Sequence, residues 1–292
     1  MRIAYVIPKF PGQTHIFFWR EMQALRRLGV DVDPVSTQPA QHTEAVHEWA
    51  AEARRRTLYL YPMSTGDFAR AAATLLAAGP RAWVRCFAAV AKADGESTKG
   101  RLRMFGAMLL GAKLLRAARA RGWSHLHAHS AANAALICTF VRILGDIPYS
   151  LTLHGPLEMY GRGENIKWNH AAFGIAVTER LKLEILAGVR GIDGGKLEVA
   201  AMGVDLERFI RTRPYEPWVP GSALRLVSCG RLHPGKGHQD VIDAVSRLIA
   251  EGFDARLDIL GEGPARSMLE SRVRELGLAD RVTLHGAVSE FR

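Results

Sequence analysis

Residues 229–239 read CGRLHPGKGHQ, and within them Gly230, Gly235 and Lys236 are spaced as Gly-x-x-x-x-Gly-Lys, the skeleton of a nucleoside-triphosphate loop. That signature closes with a Ser or Thr whose hydroxyl holds magnesium, whereas this chain has Gly237 there. The stretch is suited to phosphate without being a P-loop. Arg231 can grip phosphate oxygens through its fork of donors, Lys236 adds a second cation, and Gly235 and Gly237 let the backbone close around an anion. A glycine-rich turn with solvated charges explains the same residues without a ligand.

The flanks set this loop in an α/β frame. LRLVSC (224–229) precedes it, and the helical HQDVIDAVSRLIAEG (238–252), the strand-like RLDILG (256–261), the loop GEGP (261–264), the helical ARSMLESRVRELG (265–277) and the strand-like RVTLHG (281–286) follow. Such alternation predicts a parallel sheet with helices on its faces. Pro264 suits the first turn of a helix, so turn chemistry alone accounts for GEGP. Three strands and two helices make half of a doubly wound domain, so the second domain reads as truncated, with an edge strand and a sheet surface lacking partners.

The same alternation runs through the N-terminal part. Strands are predicted at Arg2–Ile7, Val30–Ser36, Ser124–Ser130, Tyr149–His154, Gly174–Thr178 and Lys196–Ala201, with a helix between the first two that stops at Gly29. The run RTRPYEPWVPGSA (211–223), with three prolines and a glycine, marks a linker between domains at 1–210 and 224–292, each Rossmann-type. The N-terminus reads as a first strand and not a signal peptide. The apolar stretch 104–115 is shorter than the ~20 residues of a membrane span, so no transmembrane helix is expected.

With 48% hydrophobic and 23% charged residues, the 292-residue chain has the composition of a soluble globular protein. A net charge of +10 and a pI near 9.9 favour anionic partners, without choosing among nucleotide phosphates, nucleic acid and an anionic bilayer. Cys86, Cys138 and Cys229 are widely separated and lack metal-ligand spacing, so they read as reduced core residues of a cytosolic protein. Lys99–Arg121 holds seven basic residues, no acidic ones, and apolar Leu102, Phe105, Met108, Leu109, Ala112 and Leu115. It is either a basic amphipathic helix lying on an anionic bilayer or a helix packed on the sheet with its charge in water.

Ligands of open α/β sheets bind beyond the carboxyl ends of the strands. After the first strand, Gly12 can bring its backbone to a ligand or simply form a tight turn. His154, at the tip of Tyr149–His154, can donate to a sugar hydroxyl or a developing charge, or be satisfied by a carbonyl. His125, His127 and His129 fall on one strand face ~7 Å apart, but no Cys, Asp or Glu nearby completes a metal set, and only His129 reaches the strand tip. Neither a nucleophile-elbow triad nor a Gly-x-Gly-x-x-Gly after the first strand is present.

Taken together, GRLHPGKG, DILGEGP, VTLHGAV, the opening MRIAYVIPKFPG, the central TLHG and the junction VAAMGVDLERF resemble family-4 retaining glycosyltransferases of the GT-B fold across the whole chain. FPGQTHIFFWREMQAL further resembles exopolysaccharide enzymes of the colanic-acid type. The resemblance implies a nucleotide-diphosphate-sugar donor between two domains, with Arg231 and Lys236 on the diphosphate, Gly235 in that loop and Gly12 approaching from the first domain. His154 would lie near the sugar, and Val288 and Glu290 near the base and ribose. It implies metal-independent transfer with retention and no cofactor beyond the donor. The acceptor would be a saccharide or lipid-linked saccharide, at the cytoplasmic side, with an anionic membrane surface as a further partner and no nucleic acid. Pro156 stands where many relatives carry an acidic residue, and the family's Glu-x7-Glu motif falls beyond Val288. A complementing C-terminal chain, or a non-catalytic nucleotide-sugar-binding role, is the alternative expectation.

Overall fold

The computed structural model describes residues 1–40, 47–207 and 209–289. The chain divides into two compact units, Met1–Val204 without residues 46–48 and Asp205 onward. Between Arg211 and Ala223 it runs without helix or strand.

The first unit is built on β1 (Arg2–Phe10), α1 (Ile16–Arg27), β2 (Asp31–Pro39), α2 (Trp49–Arg56), β3 (Leu58–Tyr59), α3 (Thr65–Ala77), α4 (Gly79–Lys92) and α5 (Thr98–Arg121). It continues through β4 (His125–Ala128), α6 (Asn133–Gly145), β5 (Tyr149–Leu153), α7 (Glu164–Asn169), β6 (Phe173–Ala176), α8 (Glu179–Gly188) and β7 (Leu197–Val199). The seven strands pair in the order β3-β2-β1-β4-β5-β6-β7, all parallel. β1 is buried on both faces, so it reads as a continuous apolar run. Its alternation still shows in the packing: Ala4 and Val6 join the core under α3–α6, while Ile3, Tyr5 and Ile7 join the core under α1 and α2.

Every residue of α6 from Ala134 to Leu144 except Arg142 is buried, which identifies it as the central helix of the larger core. α5 packs along it at Gly111, where an added Cβ would stand 3.0 Å from the Phe140 Cβ and 3.2 Å from the Ile137 carbonyl oxygen. This packing bears on the two readings of the basic segment. Ala112 and Leu115 of the basic segment are core residues, so the C-terminal part of α5 offers no apolar face to a bilayer. Among the described residues, no helix is long and apolar enough to cross a membrane.

The second unit carries β8 (Leu224–Cys229), α9 (His238–Ala250), β9 (Ala255–Leu260), α10 (Arg266–Glu275) and β10 (Val282–Gly286), with a parallel sheet in the order β10-β9-β8. Ile242, Val245, Leu257, Ile259, Leu269 and Val273 form its core on one sheet face. The opposite face, with Arg225, Val227 and Cys229 of β8 and Arg256 and Asp258 of β9, is exposed. Cys229 is therefore not a core residue as the sequence suggested; Cys86 and Cys138 are. The period of two turns its side chain to the open face.

Candidate functional site

In the first unit the strand order reverses between β1 and β4, the place where an open parallel sheet leaves a crevice at its carboxyl edge. The register Tyr5↔His127 and His127↔Ser150 carries three strands to that edge together. His129 Nδ1 and His154 Nε2 stand 3.3 Å apart, so one ring donates and the other accepts. Tyr5 donates its hydroxyl hydrogen to Glu21 Oε1 at 2.9 Å, and Glu21 Oε2 lies 3.8 Å from His129 Nε2, too long for a hydrogen bond. Phe18 of α1 packs on the His129 ring at 4.4 Å, and Phe17 on the His154 ring at 5.1 Å. The His154 backbone N–H donates to the Tyr160 hydroxyl at 3.1 Å, which fixes the strand tip.

Burial dominates the electrostatics here. It lowers His154 to about 4 and, with the charges of His125 and His154 adding, lowers His127 to about 3. Burial first, then the neighbouring imidazoles, holds His129 well below the usual histidine range. The rings are thus neutral near pH 7. Burial raises the Glu21 carboxyl, opposed by the Tyr5 hydrogen bond, and raises the Tyr5 hydroxyl, with Glu21 adding to it. His154 Nδ1 and His129 Nε2 are buried without a hydrogen-bond partner.

Two of the other histidines in this unit are hydrogen-bonded within the sheet. His125 Nε2 is 2.8 Å from the Ser150 hydroxyl, and His127 is bonded to Ser150 and Thr152 at 2.7 and 3.0 Å. Among the described residues, no group of three His, Cys, Asp or Glu side chains is placed to hold a metal. The Gly12 N–H donates to His15 Nδ1 at 3.0 Å, and an added Cβ would lie 2.9 Å from the same atom, so a side chain at this position would displace the His15 ring. Tyr5 and Glu21 were not singled out from sequence. Glu21 lies one helical turn from Phe17 and Phe18 on α1, a signal that gains meaning only once α1 is laid over β4.

In the second unit the loop between β8 and α9 is held by backbone. Gly230 N–H donates to the Leu260 carbonyl at 2.9 Å, Leu232 N–H to Glu262 at 3.0 Å, and Ala265 N–H to Leu232 at 3.0 Å. The GEGP glycines permit this approach: a Cβ on Gly261 would fall 1.8 Å from the Gly230 carbonyl oxygen, and one on Gly263 2.3 Å from that of Leu232. His233 Nδ1 accepts from Gly235 N–H at 3.2 Å and stabilises a 3-10 turn over Pro234–Lys236. Gly237 then takes φ +70° and ψ 15° immediately before α9. Glycine stands at the P-loop hydroxyl position because the backbone there is left-handed.

Arg231 and Lys236 are exposed on this loop, and among the described residues neither is paired with a carboxylate. No side chain caps the N-terminus of α9; the Asp240 N–H donates to the Gly237 carbonyl at 3.0 Å and Asp240 lies in the first turn, so what the helix offers the loop is the positive end of its dipole and the N–H groups before Asp240. His238 beneath it is buried, with Nδ1 2.9 Å from the Ser228 hydroxyl. Two cations, a helix N-terminus and glycine-tight backbone can bind a diphosphate. Val288 lies two residues past β10 in the same unit, and Glu290 lies outside the described residues.

Two Rossmann-type parallel α/β units with ligand-type loops at their carboxyl edges define a GT-B-like class. Within it, residues 223–292 match the family model "Glycosyl transferases group 1". HepE of Anabaena, solved with UDP, shares the fold at a TM-score of 0.64 and 14% identity, over 99% of this chain and 70% of that one. The lipopolysaccharide outer core galactosyltransferase WaaB in its apo form gives 0.58 and 14%, over 99% and 68%. Sequence relatives match a shorter span. The GDP-mannose-dependent alpha-(1-6)-phosphatidylinositol dimannoside mannosyltransferase of Mycobacterium tuberculosis is 40% identical over 79 residues, 26% of this chain and 21% of that protein. WcaL of Salmonella typhimurium, named for colanic acid biosynthesis, is 34% identical over 91 residues, 31% and 22%. These matches span about a fifth of the curated relatives' length.

Proposed function

We propose that the chain serves retaining transfer of a sugar from a nucleotide-diphosphate sugar to a saccharide acceptor, lipid-linked, in the synthesis of a cell-surface polysaccharide. The observation that carries this reading is the β8–α9 loop: Arg231 and Lys236, without carboxylate partners among the described residues, at a helix N-terminus with no side-chain cap, inside the span that matches the family model.

In the transfer, the bond from the anomeric carbon to the diphosphate oxygen breaks, and its electron pair goes to the diphosphate. The acceptor hydroxyl oxygen bonds the same face of that carbon, and its proton passes to the departing phosphate. Arg231, Lys236 and the α9 N-terminus stabilise the charge that develops on the leaving group, so the reading calls on no metal. His154, neutral and with Nδ1 unpartnered, is assigned to a sugar hydroxyl. Val288 and Glu290 are assigned to the base and ribose.

Calorimetric titration of the chain with UDP and GDP tests this. Arg231→Ala and Lys236→Ala should each weaken the preferred nucleotide by about tenfold or more, the worth of a hydrogen bond to a charged group. Unchanged affinity in the double variant would remove the loop from the site. Binding without transfer from a radiolabelled nucleotide sugar would assign a binding role instead.

A further inference from the structure

α3, α4 and α5 concentrate both the charge and the exposed apolar surface of the first unit. Thr65–Arg121 holds eleven Lys and Arg against Asp67, Asp94 and Glu96, a net +8 of the chain's +10. Asp67 is spent internally on Arg70 and Lys113. On α4, Val84 and Phe87, one turn apart, are 67% and 54% exposed, and on α5 Leu102 is 64% exposed. The two helices join at this rim, where the Phe87 and Phe105 rings lie 5.8 Å apart. Leu76, 68% exposed, closes α3 just before the chain turns into α4.

The cations are placed around these side chains. Arg81 precedes Val84 by one turn, and Lys99, Leu102 and Arg103 share a face of α5 by helical spacing. Arg81, Lys92, Lys99 and Arg103 are exposed and, among the described residues, none is paired with a carboxylate. An apolar patch ringed by unpaired cations is poorly suited to water and to a neutral partner. It suits a surface whose outer layer is anionic and whose interior is hydrocarbon.

We propose that the α4 face with the N-terminal turns of α5 docks the protein on an anionic phospholipid bilayer, with Val84, Phe87 and Leu102 entering the headgroup–acyl boundary and Arg81, Lys92, Lys99 and Arg103 binding lipid phosphates. The docking element is thereby α4 and the start of α5, and not the length of the basic helix. The proposal stands on the first unit and is independent of the sugar-transfer reading, whose test lies in the second.

Co-sedimentation of the full chain with vesicles decides it. The protein should bind vesicles of phosphatidylcholine mixed with phosphatidylglycerol and not pure phosphatidylcholine. Arg81→Glu with Lys99→Glu should lower the partition coefficient by about tenfold or more, and Val84→Ser with Phe87→Ser, which changes no charge, should lower it independently. Nucleotide titration and circular dichroism of both variants should match the parent chain. Failure to bind anionic vesicles, equal binding to neutral ones, or unchanged binding of both variants would overturn the proposal. So would a concentration-dependent dimer that the serine variant dissolves, because the face would then belong to a second copy of the chain.

Discussion

His127 shows how a residue that looks like a metal ligand becomes a structural one. Its ring is 5% exposed, bonded on both sides to strand hydroxyls, and lowered to about 3 from an ordinary 6.5 by burial, with neighbouring imidazole charge adding. The unfolded chain takes up a proton near pH 6.5 and the folded one does not. The histidine's contribution is therefore whole above that pH and is lost as pH falls toward about 3, and His154, lowered to about 4, acts in the same direction. His127→Gln, which keeps a hydrogen-bonding side chain and does not titrate, should cost about 1 kcal/mol at neutral pH. In denaturant unfolding at about pH 5 that gap should close or reverse, since only the parent protein carries the linkage. A gap that is constant with pH would mean the ring is not held neutral. The sequence placed His154 and His129 correctly at strand tips, because tips follow from strand ends. It did not yield Tyr5 or Glu21, whose role depends on the parallel register of β1 with β4, a long-range pairing that no local pattern encodes.

Among elements, the short connection from β8 to α9 carries the most meaning for its length. Its sequence suggested a phosphate loop lacking one hydroxyl, and the structure shows why the hydroxyl residue does not belong there: Gly237 at φ +70° has to end a 3-10 turn and start α9 in one residue. Gly237→Ser should cost about 1–2 kcal/mol, the penalty of a side chain in the left-handed region. It should also produce no magnesium-dependent ATP turnover, because the serine would stand before the helix and not inside its first turn. A thermal melt and a phosphate-release assay on this variant check both statements, and magnesium-dependent hydrolysis would restore the P-loop reading. Strands with strong local apolar patterns, such as Tyr149–Leu153, were legible to within a residue or two. β3, a two-residue strand at the sheet edge, was not, since two residues carry no period. α5 was legible as a helix but not in its burial. Its mixed basic and apolar pattern fits solvent and membrane equally until α6 is seen lying along Gly111 and Leu115.

For the whole molecule, a charge of +10 spread evenly would suggest an acidic polymer as partner, but the spread is uneven. Outside Thr65–Arg121 the chain carries 28 Lys and Arg against 26 Asp and Glu, nearly balanced. The β8–α9 loop thus sits in a unit without a strong general field, and the diphosphate affinity proposed for it should come from local contacts of Arg231, Lys236 and the α9 N-terminus. The α3–α5 segment, by contrast, presents many cations at once. Binding that rests on many exposed charges falls steeply with salt, whereas binding through two cations and backbone donors falls little. Raising sodium chloride from about 50 to about 500 mM should therefore reduce partitioning onto anionic vesicles by tenfold or more while weakening nucleoside-diphosphate binding only about fewfold. Vesicle partitioning and calorimetric titration on the same preparation measure the two slopes. Equal slopes would mean that one diffuse field governs both partners, and would undo the division of the positive charge between a docking face and a phosphate site.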